Sequence, residues 1–511
     1  MLWAGLVTSG PVRMLSANVL DKAVPIHRLP KIDPDYCGVV FPPNIAPPNF
    51  VVQESGSRYA IEFRSAEGKS LQVTSADPQI RIPVKSWHEL LRGGQGKEIY
   101  CQVFVQRDKG EWSRFDTITN RIALEEIDRY LVYRLLNWQF TIYSSGTMGL
   151  YQRNLEHQDE SVLLHVKERE RGKSTCMNCH SFLLNQPNPM ALHIRMEWQS
   201  TKPMLIARDG QVAHVAKPAG LLAWHPSGQL LAFSINRFMT LFHTSGRNQD
   251  VYDGTGDLGV YFVNEAKVSG TPKIAETNWF ETWPAWSPDG QYLYFCRAPN
   301  LPVERFREIK YDLMRIGYDL KTDTWGEVES LLTAQATGLS IAQPRISPDG
   351  KHLMFCMFPY SSFPGSQPAS DLYLMDLENR TYRRLDEVNS ERSECWHCWS
   401  SNGRWFVFSS KRRDGFLTRP YFSYFDSSGK AHKPFLLPQK DPTAYDATPL
   451  MYNLPELIKG PVQVSRRQLF QAVFAPNKII KPVIDSRLPQ SQPQQSDAPR
   501  GENTYEPGPP K

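Results

Sequence analysis

The segment WPAWSPDGQYLYFC (residues 283–296) decides the fold. Its Ser-Pro-Asp-Gly is a tight turn in which the glycine supplies a positive φ. Apolar residues then alternate up to Phe295, as in a half-buried strand. Turn and strand together describe a β-hairpin. Three other segments align with it without gaps: LLAWHPSGQLLAFS (221–234), QPRISPDGKHLMFC (343–356) and WHCWSSNGRWFVFS (396–409). Their turn glycines, Gly228, Gly290, Gly350 and Gly403, stand 62, 60 and 53 residues apart. Further strand candidates follow each turn: DLGVYFV (257–263), YDLMRIGYDL (311–320), DLYLMDL (371–377) and RPYFSYFD (419–426). About four turn-linked strands per repeat is the pattern of propeller blades. One blade cannot bury both of its faces, so several must close a ring.

The expected class is therefore all-β, a β-propeller of about six or seven blades, four of them clearly legible. A less regular blade is expected from YLVYRLL (130–136), FTIYSS (140–145), GLYQRNL (149–155) and SVLLHV (161–166), and a hairpin in PMLIARDGQVAHV (203–215) around Asp209–Gly210. Upstream, residues 35–120 have another texture: proline-rich FPPNIAPPNFVV, the strands RYAIEFRS, LQVTS and IYCQVFVQ, and one short helix candidate, KSWHELL. They predict a small β-rich domain after an N-terminal extension (1–34). The propeller is expected over 121–456, and residues 457–511 as a largely disordered tail, Pro/Gln-rich towards its end.

The charge pattern narrows the partners. A net charge of +5 is mild for 511 residues, and no block of five or more Lys/Arg occurs, which argues against nucleic acid and anionic membranes. No apolar run approaches the roughly 20 residues needed to span a bilayer. LWAGLV (2–7) lacks a basic flank and is too short for an export signal. Eight cysteines are too few for a disulfide-built scaffold. A Ser hydrolase elbow, HExxH and EF-hand loops are absent, and GKS (172–174) lacks the first glycine of a P-loop. No catalytic residue is named, and the chain reads as a binding or redox protein rather than an enzyme.

One motif stands apart. CMNCH (176–180) has the CxxCH spacing by which haem is covalently attached. Cys176 and Cys179 would form the thioethers and His180 would reach the iron. Polar flanks on both sides predict a connector at 167–195 rather than a strand. A second CxxC, Cys395 and Cys398, leaves a disulfide or a shared four-thiolate zinc site open. Cys296 and Cys356 occupy the repeat position of Ser234 and Ser409 and read as small core residues.

CMNCHSF, the Met190-x-x-His193-x-Arg195 spacing, WHPSG, ETWPAWSPDG, PRISPDG, SDLYLMDL and the final YNLPE resemble TolB-like propeller proteins with an embedded CxxCH, of Bacteroidetes-type bacteria. The resemblance runs from about Asp35 to Glu456. It implies a periplasmic or cell-envelope location, one covalent c-type haem and a redox or envelope protein partner. It favours His193 as second iron ligand, with Arg195 beside a propionate. Met190, His225 and His397 are the alternatives, and an open sixth position is another. The chain departs from the family in having no evident export signal, as if its start were truncated, and in the cysteines that flank His397. A scaffold propeller with structural haem, or none, is the competing function.

Overall fold

The computed structural model describes residues 20–107, 110–137, 148–166, 175–196, 203–217, 219–241 and 250–488. Six antiparallel sheets of the expected hairpins follow one another. Blade 2 runs through Thr175–Phe182, Met190–Met196, Met204–Arg208 and Gln211–Val215, and blade 3 through Leu222–Trp224, Leu230–Leu241, Asp250–Phe262 and Lys267–Ser269. Blade 4 comprises Trp279–Trp286, Tyr292–Pro299, Asp312–Asp319 and Thr324–Leu332. Blade 5 comprises Ser340–Ile346, His352–Phe358, Asp371–Asp376 and Tyr382–Arg384, and blade 6 Glu394–Trp399, Trp405–Ser410, Arg419–Tyr424 and Phe435–Leu436.

Blade 1 is made from both ends of the propeller. Tyr130–Leu136, Met148–Asn154 and Glu160–Val166 supply three strands, and Met451–Ile458 pairs antiparallel with the first of them. The innermost strands touch in sequence around the axis. The ring closes where Met451–Ile458 meets both Glu394–Trp399 and Thr175–Phe182. Closure leaves no inner edge open to water. The described residues form a six-bladed β-propeller.

The repeated turns work as side-chain clasps. Asp289 accepts from the Ser287 hydroxyl at 2.5 Å and from the Gln291 amide at 3.0 Å, while Gly290 takes φ +75°. Ser347–Asp349–Gly350 and Ser400–Asn402–Gly403 repeat the arrangement. The acidic residues of these turns are thus structural.

The smaller domain has a seven-stranded sheet and a three-stranded one (Ile32–Asp33, Phe50–Val52 and Gln79–Ile80), with the helix Val84–Gly93 packed on it, Trp87 being fully buried. It starts earlier than expected: Val24–Ile26 and Ile32–Asp33 already pair in its sheets, and Ile118–Ile122 ends past residue 120. It is fixed to blade 6 by Phe41 against Phe435 (5.3 Å between ring centres) and by the Arg413–Asp33 ion pair at 2.7 Å.

Two further boundaries are corrected. CMNCH lies on the innermost strand of blade 2, not on a connector; the polar stretch before it ends at Thr175, and residues 167–174 lie outside the described residues, as does FTIYSS. Residues 457–488 are ordered into the fold. Ser465 and Gln468 cap the helix Arg466–Phe474 reciprocally. Ile479–Ile480 and Val483–Ile484 then add parallel strands to the outer edges of blades 2 and 3. Arg487 reaches Asp323 of blade 4. Strands of two residues have no periodicity to read, which is why this strap was not legible. Among the described residues no helix is long and apolar enough to cross a membrane.

Leu469 is fully buried in the blade 1–2 core, whereas Phe470 beside it is 42% exposed. Leu469→Ala should destabilise the protein by about 2–5 kcal/mol. Phe470→Ala should cost far less, and thermal melts of the two variants check the difference.

Candidate functional site

The inner strands share an irregularity that builds the site. In blades 2, 4, 5 and 6 the pairing slips by one residue, between Met177 and His180, Thr282 and Ala285, Ala342 and Arg345, and Cys395 and Cys398. Met451–Ile458 slips likewise opposite Tyr133. Such bulges re-aim side chains. Trp283, Gln343, Trp396 and Leu454 take φ between +51° and +59° at them. The re-aimed residues of five blades, with Leu221 and Leu222 of the regular blade 3, meet on the axis around a small chamber.

Blade 2 contributes Cys179 and His180 to this chamber. His180 is 2% exposed; the Val132 and Leu454 backbones lie beside its ring, but neither ring nitrogen meets one in full hydrogen-bond geometry. Burial, with the positive charges of Arg134 and Arg345, pushes its imidazole down to about 3, so it is neutral at physiological pH. Cys179 is half-buried and in no disulfide. The side chains of Cys176 and Arg195 lie outside the described residues; the backbones of the two are in register.

The other expected ligand is not brought to the same place. His180 is in register with Leu192, which packs against blade 1. Ala191, two residues before His193, packs against blade 3. Alternation along a strand therefore puts His193 on the sheet face opposite His180, and the two cannot clasp one iron. Met190 is core between blades 1 and 2. His225 bonds Ser227 Oγ (2.7 Å) and the Gly290 carbonyl (3.1 Å), away from the axis. His397 does line the chamber, but its Nε2 is 3.1 Å from the Met354 carbonyl and its Nδ1 3.9 Å from Cys356 Sγ.

Cys395 and Cys398 are both free thiols, so the disulfide reading is corrected. They straddle the blade 6 bulge, and burial pushes the Cys398 thiol up to about 12. Among the described residues no group of three His, Cys, Asp or Glu is placed to hold a metal ion. Cys296 and Cys356 are fully buried, as expected of core positions.

Three chamber residues, Arg345, Glu456 and Gln343, escaped the sequence reading. Arg345 of blade 5 meets Glu456 of blade 1 at 3.4 Å. Gln343 accepts from the Trp396 amide at 2.7 Å and the Cys356 thiol at 3.4 Å, leaving its Nε2 without a partner. Trp283 and Trp396 stand edge to face, 5.3 Å between ring centres, and the Trp283 indole N–H donates to the Ser362 carbonyl. The signal was present at the head of each repeat, where WPA, QPR, WHC and LPE occupy one position. The chamber thus offers a neutral imidazole, a thiol, an amide, an ion pair and aromatic walls.

No family model matches this chain, and no curated protein matches it. Solved structures similar to it include an auxiliary nutrient binding protein from Bacteroides thetaiotaomicron (10% identity, 76% of this chain and 98% of that one, TM-score 0.33). An oligogalacturonate lyase from Vibrio parahaemolyticus shares 12% identity over 55% of this chain and 85% of that one (TM-score 0.30). A prolyl oligopeptidase B from Galerina marginata shares 10% over 66% and 42% (TM-score 0.32).

Burial pushes the Glu456 carboxyl up from 4.5 to about 7, against the pull of Arg345 and a backbone hydrogen bond from Phe182. Between those values the folded protein keeps a proton that the unfolded chain releases, so this group lowers stability as pH rises through the window. Glu456→Gln should melt like wild type near pH 4 and above it near pH 8. Melting temperatures of both proteins at the two pH values test the sign.

Proposed function

We propose that this chain is a c-type haem propeller of the cell envelope, with the group attached at Cys176–His180 and used for electron exchange with a protein partner. The observation that carries the reading is His180: a buried, neutral imidazole with neither ring nitrogen in a full hydrogen bond, directly after a thiol that opens on the same chamber. A neutral imidazole is the form that ligates iron. His180 and Cys179 therefore fit the group. Cys176 completes the motif in sequence. Bound haem would supply one-electron chemistry. What the chain's own residues do is position and exclude: the bulge holds His180 on the axis, and the ring of inner strands keeps water from it. The likeness to TolB-like proteins supports the envelope location and a partner there.

Co-expression with a haem-maturation system and an added export signal should give a haem band that survives denaturing electrophoresis. Cys176→Ala/Cys179→Ala should abolish it, and His180→Ala should keep the band but change the ferric spectrum. A wild-type protein without the band sinks the reading.

The opposite wall supports a second reading, a ligand-binding or scaffold propeller without redox work. Arg345, Glu456 and Gln343 are recognition groups that attachment at Cys179 does not require. Haem that neither cycles reversibly nor binds CO would favour it.

A further inference from the structure

We infer that the C-terminal strap, residues 459–488, docks the propeller on an anionic lipid surface. Neither the haem nor the axial chamber enters into it.

The strap gathers the charge of the chain. It holds Lys459, Arg466, Arg467, Lys478, Lys481 and Arg487 against the single acid Asp485, a net +5 that equals the net charge of all 511 residues. The average over the chain hides this concentration, since the remainder of the sequence is neutral. Arg487 is engaged with Asp485 and Asp323. Arg466, Arg467, Lys478 and Lys481 are exposed and in no ion pair among the described residues. Two of them stand where they cost stability: Arg466 and Arg467 open the helix Arg466–Phe474, at the end whose dipole disfavours cations.

The same segment gathers exposed apolar surface. Ten large apolar residues are exposed among the described residues, and four of them, Phe470, Ile479, Val483 and Ile484, lie within fifteen residues of the strap. The strap does not need them as anchors. Leu469, beside Phe470, is the fully buried one, and Ile480, beside Ile479, is the one that packs towards blade 3.

Strand pairing with a protein partner is blocked along this edge. Pro476 and Pro482 have no amide hydrogen to give, and Lys478 and Lys481 guard the two short strands; both are devices by which sheet edges repel strand addition. A lipid surface needs neither backbone pairing nor a fixed shape. Its headgroups take the cations, and its acyl boundary takes the aliphatic and phenyl side chains. Lys478 adjoins Ile479, and Lys481 precedes Val483 and Ile484, so a long lysine stem can hold a headgroup while its apolar neighbours insert.

Vesicles of phosphatidylcholine and phosphatidylglycerol, two to one, are the probe. Full-length protein should co-sediment with them at low salt, and stay in solution with vesicles of phosphatidylcholine alone. Lys478→Gln/Lys481→Gln should weaken partitioning by about tenfold or more, and Val483→Ser/Ile484→Ser by about tenfold, with thermal melts showing that both fold. Leu124→Ser, which removes a residue about as exposed as Val483 but outside the strap, should bind like wild type. Absence of binding to the anionic vesicles overturns the inference, as does unchanged binding by either folded strap variant. Capture by soluble polyglutamate that the lysine pair abolishes and the Val483→Ser/Ile484→Ser pair leaves intact, without co-sedimentation, assigns an acidic protein partner and overturns the lipid surface.

Discussion

The backbone pairing of Tyr130–Leu136 with Met451–Ile458 is the constraint on which the rest depends. It joins segments more than three hundred residues apart, and a link of that separation carries a large loop-closure cost that only many cooperating contacts offset. Without it the six sheets form an open arc with two free inner edges. With it each inner strand has a neighbour on both sides, and the axis becomes an interior. Leu454, Pro455 and Glu456 belong to the closing strand itself, so the same residues complete the ring and one wall of the chamber.

Closure also sets the chemistry. His180 is held neutral by burial first and by Arg134 and Arg345 second, and those arginines come from blades 1 and 5. Glu456 is raised towards neutrality by the same exclusion of water. An imidazole and a carboxyl that would both be charged at mildly acid pH in water are thereby brought close to neutrality inside the ring. The bulges add direction to this environment. A regular inner strand would alternate its side chains between neighbouring blades; one extra residue turns the local pair towards the axis instead.

The fold was readable because its signals are local and repeated. Ser-Pro-Asp-Gly specifies its own turn through the Ser287 and Asp289 side chains, and the apolar runs up to Phe295, Phe355 and Phe408 form strands that the ring buries on both faces rather than the half-buried ones expected. The site was only half readable. CMNCH named Cys179 and His180, but the polar residues around it read as a loop, because a bulged strand breaks the alternation by which strands are recognised. His193 stood out through the family-like Met190-x-x-His193-x-Arg195 spacing. In a hairpin, distance along the chain says little, and register with Leu192 decides which face a side chain takes. Arg345, Gln343 and Glu456 carry no motif: each is an ordinary residue after or before a proline, and only the ring brings them together.

The position of His397 shows how closely site and scaffold are interleaved here. It stands at the same bulge position as Pro284, Pro344 and Pro455, and as Cys179. Where proline needs no donor partner, histidine must satisfy two nitrogens. It does so with the Met354 carbonyl and Cys356 of the neighbouring blade, so its ring serves the blade 5–6 contact. His180, one position further along its own bulge, has the Val132 and Leu454 backbones nearby but no carbonyl or thiol in full hydrogen-bond geometry. Two histidines in one chamber, both pushed down to about 3 by burial, thus differ in what they can do. The ring bonded to Met354 and Cys356 is a structural element, and the ring without a full hydrogen bond is the one left to meet a ligand.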